Sequence, residues 1–147
     1  MGIEFEIVDV HQSLKDEVDL RRREIALAAA KMVEPGDVIL IDGGPNAVFL
    51  SEALLKKKSI TVITNAIPVF ETLQANSDII IILTGGAYRR SSQILVGPTA
   101  EGALRELRAD KLFLNVAVPR TTVEVGVPRS FHGIGRSEKA VQRKKSA

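Results

Sequence analysis

At 147 residues, with 45% hydrophobic and 26% charged side chains, the chain has the make-up of one globular domain. It contains no cysteine, which excludes disulfides and thiolate metal sites, and no apolar run nears the ~20 residues of a membrane helix. The net charge of +2 is uneven: Arg129, Arg136, Lys139, Arg143, Lys144 and Lys145 against Glu138 give residues 128–147 a charge of +5, leaving −3 on residues 1–127. A domain over 1–127 with an irregular, solvated basic tail over 128–147 is expected, in the cytoplasm and without a membrane or signal segment.

In chain order, Ile3 to Ile7 alternates apolar and polar and predicts an edge strand. Ser13 with Asp16 resembles a capping signal, from which a helix is expected to run to Met32 or Val33. Leu20, Ile25, Ala28, Ala29 and Met32 are placed on its buried face, with Arg21, Arg22, Arg23 and Lys31 in solvent. Glu34-Pro35-Gly36-Asp37 ends it. Val38 to Ile41 is the first continuous apolar strand, and Ala47 to Leu55 reads as a helix whose last turn would gain from Lys56-Lys57-Lys58. The strand Ile60–Thr64, a helix around Val69–Gln74 and the strand Ile79–Leu83 follow. Residues 85–92 read as a loop and Ile94–Val96 as a short strand. Pro98 opens a helix to about Leu107, and Lys111–Val116 is a fourth core strand. Thr121–Val125 reads as one more strand, and residues 126–147 show no period.

Short apolar strands separated by helices predict a parallel sheet buried on both faces. The fold class is α/β, a three-layer sandwich with a mostly parallel, Rossmann-like sheet. Every strand-to-helix turn then lies at the carboxyl edge, where open sheets of this kind bind ligands.

Four turns become candidates. Asp42-Gly43-Gly44-Pro45-Asn46 offers glycines and a helix N-terminus to an anion, or is simply a tight turn with Asn46 as the helix cap. It is neither a dinucleotide fingerprint nor a Walker loop, and Pro45 removes one N–H. Thr64 and Asn65 supply a hydroxyl and an amide for a ligand, or cap the next helix. Gly85 and Gly86 allow close approach, and Arg89 and Arg90 beyond them bring guanidinium groups within reach of a phosphate. Gly97 and Thr99 mark a further helix start. Catalytic equipment is thin: His11 and His132 fall outside these turns, Asp42 has no paired acid, base or nucleophile, and nothing has metal-ligand spacing. No catalytic residue, metal or cofactor is expected.

The ordered set Ile25 to Ala30, Gly36 to Gly44, Val62 to Asn65, Leu83 to Gly86, Leu95 to Glu101 and Ala109 to Leu114 resembles the effector-sensing domain of DeoR-type transcriptional regulators. The resemblance covers roughly Arg22 to Val116. It implies a fold related to ribose-5-phosphate isomerase and glucosamine-6-phosphate deaminase (isomerase/CoA-transferase-like), and a domain that binds a phosphorylated sugar or related small metabolite, forms homo-oligomers and controls a DNA-binding winged helix. It implies a phosphate loop over Asp42 to Ala47, with Thr64-Asn65, Gly85-Gly86 and Gly97-Pro98-Thr99 as the other ligand-side turns.

The chain departs from that pattern where Pro45, Asn46 and Ala47 replace the family's threonines or serines, and where Asn115 to Arg120 lacks glycine. The resemblance implies that the family's lysine-bearing helix falls at Glu138 to Gln142, which puts Gln142 at the lysine and leaves Lys139 available only in another register. The final strands are expected to be missing. With about twenty residues ahead of the first sensor helix, so is the winged helix, and DNA contact would run only through that absent domain. The expected function is effector sensing and oligomerisation rather than catalysis. The alternatives are a sugar-phosphate isomerase- or deaminase-like enzyme and a ligand-free interaction subunit.

Overall fold

A computed structural model of the chain describes residues 10–115. The expected strands over 3–7 and 121–125 and the basic tail lie outside the described residues.

Helix α1 (Val10–Ala30) leads through Glu34-Pro35-Gly36 into strand β1 (Val38–Ile41) and helix α2 (Pro45–Leu54). Strand β2 (Ile60–Thr64), helix α3 (Ile67–Leu73) and strand β3 (Ile79–Leu83) follow, then strands β4 (Ala87–Arg89) and β5 (Ile94–Val96), helix α4 (Pro98–Glu106) and strand β6 (Lys111–Phe113). The main sheet has the order β3-β2-β1-β6, and all three pairings are parallel, with Ile39 opposite Val62 on one side and Lys111 on the other. β4 and β5 form a separate antiparallel hairpin. This is the α/β sandwich with a parallel sheet that the continuous apolar runs predict.

Alternation along each strand sorts the two faces. Ile39, Ile41, Ile60, Val62 and Ile79 point toward α1, α2 and α3 and join Ala26, Ala30, Val33, Leu50, Leu54, Val69 and Leu73 in the larger core. Leu40 and Ile63 point the other way, toward Leu104 of α4, with Val38, Ile82, Leu112 and Leu114 at their margin. Only α4 covers this second face among the described residues, and Ile80 on the outer strand β3 stays 64% exposed.

Several local expectations are corrected. α1 begins at Val10, not near Ser13, since nothing in Val10-His11-Gln12 breaks a helix. Its core-facing side is Ala26 and Ala30, with Ala29 partly buried and Val33 buried just past its end, while Leu20, Ile25 and, beyond the helix, Met32 are exposed and Ala28 faces solvent. The small alanines allow α1 to lie close on α2, and larger side chains at those positions would hold it off. Arg21 and Arg22 pair within α1 to Glu17 and Asp19, and Arg23 reaches Glu52 of α2 and stacks over Phe49 at 5.0 Å. α2 ends at Leu54, so the lysines follow its last turn, and Lys57 instead donates to the Val33 carbonyl. β4 lies inside the segment expected to be loop, and β6 stops at Phe113 rather than Val116.

Candidate functional site

The chain visits β1, β2 and β3 in one direction across the sheet, and β6 is added on the other side of β1. The strand order therefore reverses between β1 and β6, the switch point at which such sheets open a crevice. A cavity of about 530 Å³ lies there. The β1–α2 turn supplies Asp42, Gly43, Gly44 and Pro45, and α2 adds Val48. The start of α3 supplies Ala66, Pro68 and Val69. The hairpin supplies Ser91, Ser92, Gln93 and Ile94, and the residue two beyond β6, Asn115, closes the ring.

Each wall has a local cause. Asp42 N–H donates to the Phe113 carbonyl at 3.0 Å, prolonging the β1–β6 ladder into the turn. Gly43 N–H donates to the Asp42 carboxylate at 2.8 Å, so the acid side chain folds back over its own turn. Gly44 takes φ +127°, open to glycine and strained for any other residue, and from there α2 starts with Pro45 in its first turn. The cap of α2 is thus Gly44 without a side-chain bond, not Asn46. Asn46 instead donates its side-chain amide to Asn115 Oδ1 at 3.0 Å.

The hairpin is pinned by backbone. Leu95 N–H donates to the Asn65 carbonyl at 2.7 Å, and Ile67 N–H donates to the Gln93 carbonyl at 3.1 Å. Ile94, buried, packs so close to Gly43 that a Cβ there would sit 2.5 Å from its Cγ2.

The sequence-derived residues separate into three groups. Asp42, Gly43 and Gly44 line the crevice, and Asn46 stands at its edge through Asn115. Thr64 and Asn65 are fully buried behind it: Thr64 Oγ1 donates to the Ile41 carbonyl and accepts Ala66 N–H, and Asn65 Nδ2 donates to the Leu95 carbonyl. Asn65 Oδ1 is buried without a partner. Gly85, Gly86, Arg89, Gly97 and Thr99 belong to a neighbouring surface, where a Cβ on Gly85 would meet Thr99 at 3.4 Å and one on Gly86 would meet the Val96 carbonyl at 2.6 Å. Arg89 is exposed and does not line the cavity. The apolar wall of Val48, Val69 and Ile94, and the polar pair Gln93 and Asn115, were not singled out from sequence. Only the absence of glycine after the Phe113 strand marked the stretch containing Asn115.

Among the described residues Asp42 is the only ionisable one on the walls, and burial pushes its carboxyl up to about 6 against the opposing Gly43 N–H. No group of three metal-binding side chains occurs among the described residues.

The model of the DeoR C-terminal sensor domain matches residues 19–121, spanning every element that builds the crevice. The chain belongs to this family. Among similar proteins, the chain is 34% identical over 97 residues to the Escherichia coli K12 HTH-type transcriptional regulator YgbI, covering 66% of this chain and 38% of the relative. It is 33% identical over 93 residues to the transcriptional repressor AccR of Agrobacterium fabrum, 63% of this chain and 36% of that one. The lactose phosphotransferase system repressor of Lactococcus lactis is 37% identical over 93 residues, 62% of this chain and 36% of the repressor. The chain thus spans less than two fifths of the length of these curated relatives. The switch-point crevice lies wholly within the segment matched by the sensor-domain model.

Proposed function

We propose that this DeoR sensor domain is the effector-binding and oligomerisation part of a transcriptional regulator, and that the crevice at the β1–β6 switch point takes a phosphorylated sugar or a related small metabolite. The observation that carries the reading is the convergence of the β1–α2 turn, the α3 start, the β4–β5 hairpin and Asn115 on one cavity of about 530 Å³, a size suited to a small metabolite. Relatives named as transcriptional regulators and repressors support the regulatory role. Ligand binding acts on regulation only through differential affinity for two states of the regulator. DNA contact belongs to a winged helix coupled to this domain.

Homo-oligomerisation is supported by Val18 and Ile25, seven residues apart on α1 and both exposed, with Met32 exposed just beyond the helix. No helix among the described residues is long and apolar enough to cross a membrane, in keeping with a cytoplasmic regulator. Among the described residues Asp42 has no second acid or base beside it on the crevice walls, which favours sensing over isomerase or deaminase chemistry.

Calorimetric titration with a panel of sugars, sugar phosphates and related metabolites tests the reading. Saturable binding without turnover is expected. Aldose–ketose turnover abolished by Asp42→Ala would replace sensing with catalysis, and silence toward the whole panel would favour a ligand-free interaction subunit.

A further inference from the structure

We infer that Asn115 is a direct effector contact: its side-chain amide, oriented by Asn46, donates to the phosphate end of a ligand held in the crevice at Gly44. The inference rests on the effector-binding reading above and names one of its contacts.

The first support is where the amide lies. Asn115 stands two residues beyond β6 and lines the cavity together with Asp42, Gly43 and Gly44, because β6 is the neighbour of β1 in the sheet. A Cβ at Gly44 would collide with Asn115 Nδ2 and lie 2.6 Å from Asn115 Cγ. The nitrogen end of the carboxamide is therefore the end that reaches the β1–α2 turn.

The second support is its orientation. An asparagine side chain carries an acceptor oxygen at one end and an NH2 donor at the other. Asn46 Nδ2 donates to Asn115 Oδ1 at 3.0 Å, which occupies the acceptor end and sends the donor end toward Gly44. Asn46 is thus a positioning residue, and Asn115 is the group that meets the ligand. Packing against Gly44 alone would not require a polar side chain held in one of its two orientations.

The third support is what the turn itself offers. Asp42 N–H is committed to the Phe113 carbonyl, Gly43 N–H to the Asp42 carboxylate and Ala47 N–H to the Gly44 carbonyl, while Pro45 has no N–H. The N–H groups of Gly44 and Asn46 are what the turn itself leaves for an anion. A phosphate is held by several converging donors, and the Asn115 NH2 adds to those two from the β6 side. Each bond of this kind is charge-assisted, so its loss is expected to weaken binding by about tenfold.

The test uses the full chain with three probes: inorganic phosphate, ribose 5-phosphate and glucosamine 6-phosphate, each against potassium chloride of matched ionic strength. Wild type is expected to bind at least one of them saturably in calorimetry, with the Asn115 side-chain NH2 resonances shifting along the same isotherm. Asn115→Ala and Asn115→Asp should each weaken that binding by about tenfold or more. Asn46→Ala should weaken it less, and should move the Asn115 NH2 resonances before any ligand is added. If the Asn115 variants fail to fold, the wild-type NH2 resonances decide: a saturable shift supports the inference, and none overturns it. Binding by Asn115→Ala that is tighter than wild type, or within about twofold of it, overturns the inference and leaves effector binding standing. Silence of wild type toward all three probes also overturns it, whereas effector binding falls only if the wider metabolite panel is silent too.

Discussion

The Asn46 side-chain amide donates to Asn115 Oδ1 at 3.0 Å, joining the first turn of α2 to the chain just beyond β6 across the mouth of the crevice. The two residues are 69 positions apart, and they meet because β6 lies beside β1 in the sheet. Between them Gly44 gives up its space to the Asn115 carboxamide.

Gly44→Ala therefore meets two separate costs, a positive φ and a collision with Asn115. A destabilisation of about 1–3 kcal/mol is expected, as for a residue held in a sparsely populated backbone region. Combining it with Asn115→Gly should recover the collision part and leave the backbone part. Urea denaturation of the single and double variants checks this, and strict additivity would show that the two residues do not touch.

Asp42 gives the pH dependence a definite sign. Its carboxyl is held near 6 in the folded chain by burial, against an ordinary value of 3.8. Between those values the folded state binds more protons than the unfolded one, so this group's contribution to stability falls as pH rises from about 4 to 6. The total loss is at most about 3 kcal/mol, since each pH unit across that interval is worth about 1.4 kcal/mol. Asp42→Asn should raise the melting temperature at pH 7 and flatten that interval of the pH profile in thermal denaturation.

Asp37 works in the opposite direction. It accepts Glu34 N–H and the Lys111 ammonium, and these hold its carboxyl below the ordinary value, with the Glu34 bond foremost. Its contribution is present at neutral pH and is lost as pH falls through the lowered folded value. Asp37→Asn should lower stability at pH 7 more than at a pH below that lowered value, where the protonated acid has already given up the ion pair.

Core and margin should respond unequally. Leu54 is fully buried, and Leu54→Ala is expected to lose about 2–5 kcal/mol. Ile80→Ala, on the exposed outer strand, should stay within about 0.5 kcal/mol. Denaturation midpoints of the two variants decide whether the larger core is where stability resides.

The α1 stripe separates folding from assembly. Ile25→Glu should leave the melting temperature of the chain nearly unchanged, since Ile25 is 61% exposed, but should shift light-scattering mass toward the monomer. An unchanged oligomer would place the interface elsewhere.

Much of the sheet was legible because β1 and β3 are unbroken apolar runs, and β2 is interrupted only by β-branched threonine, so their type does not depend on their neighbours. The face of α1 was not, because Leu20, Ile25, Leu27 and Met32 outrank Ala26 and Ala30 in hydrophobicity, yet the alanines are what a close helix contact requires. Asn115 was not legible as a site residue either: its role arises from the β1–β6 adjacency, which no local period encodes. Thr64 and Asn65 carry the residue types of a ligand site, yet their bonds hold the hairpin and the sheet edge together.

The most direct measurement of the central claim is an amide-resolved NMR titration of the chain with the sugar and sugar-phosphate panel. At least one member is expected to move the Gly43, Gly44, Ile94 and Asn115 amides saturably, while Ile80 on the far edge stays still. A saturable ligand whose shifts avoid those four residues, or a panel that moves none of them, would contradict effector binding at the switch-point crevice.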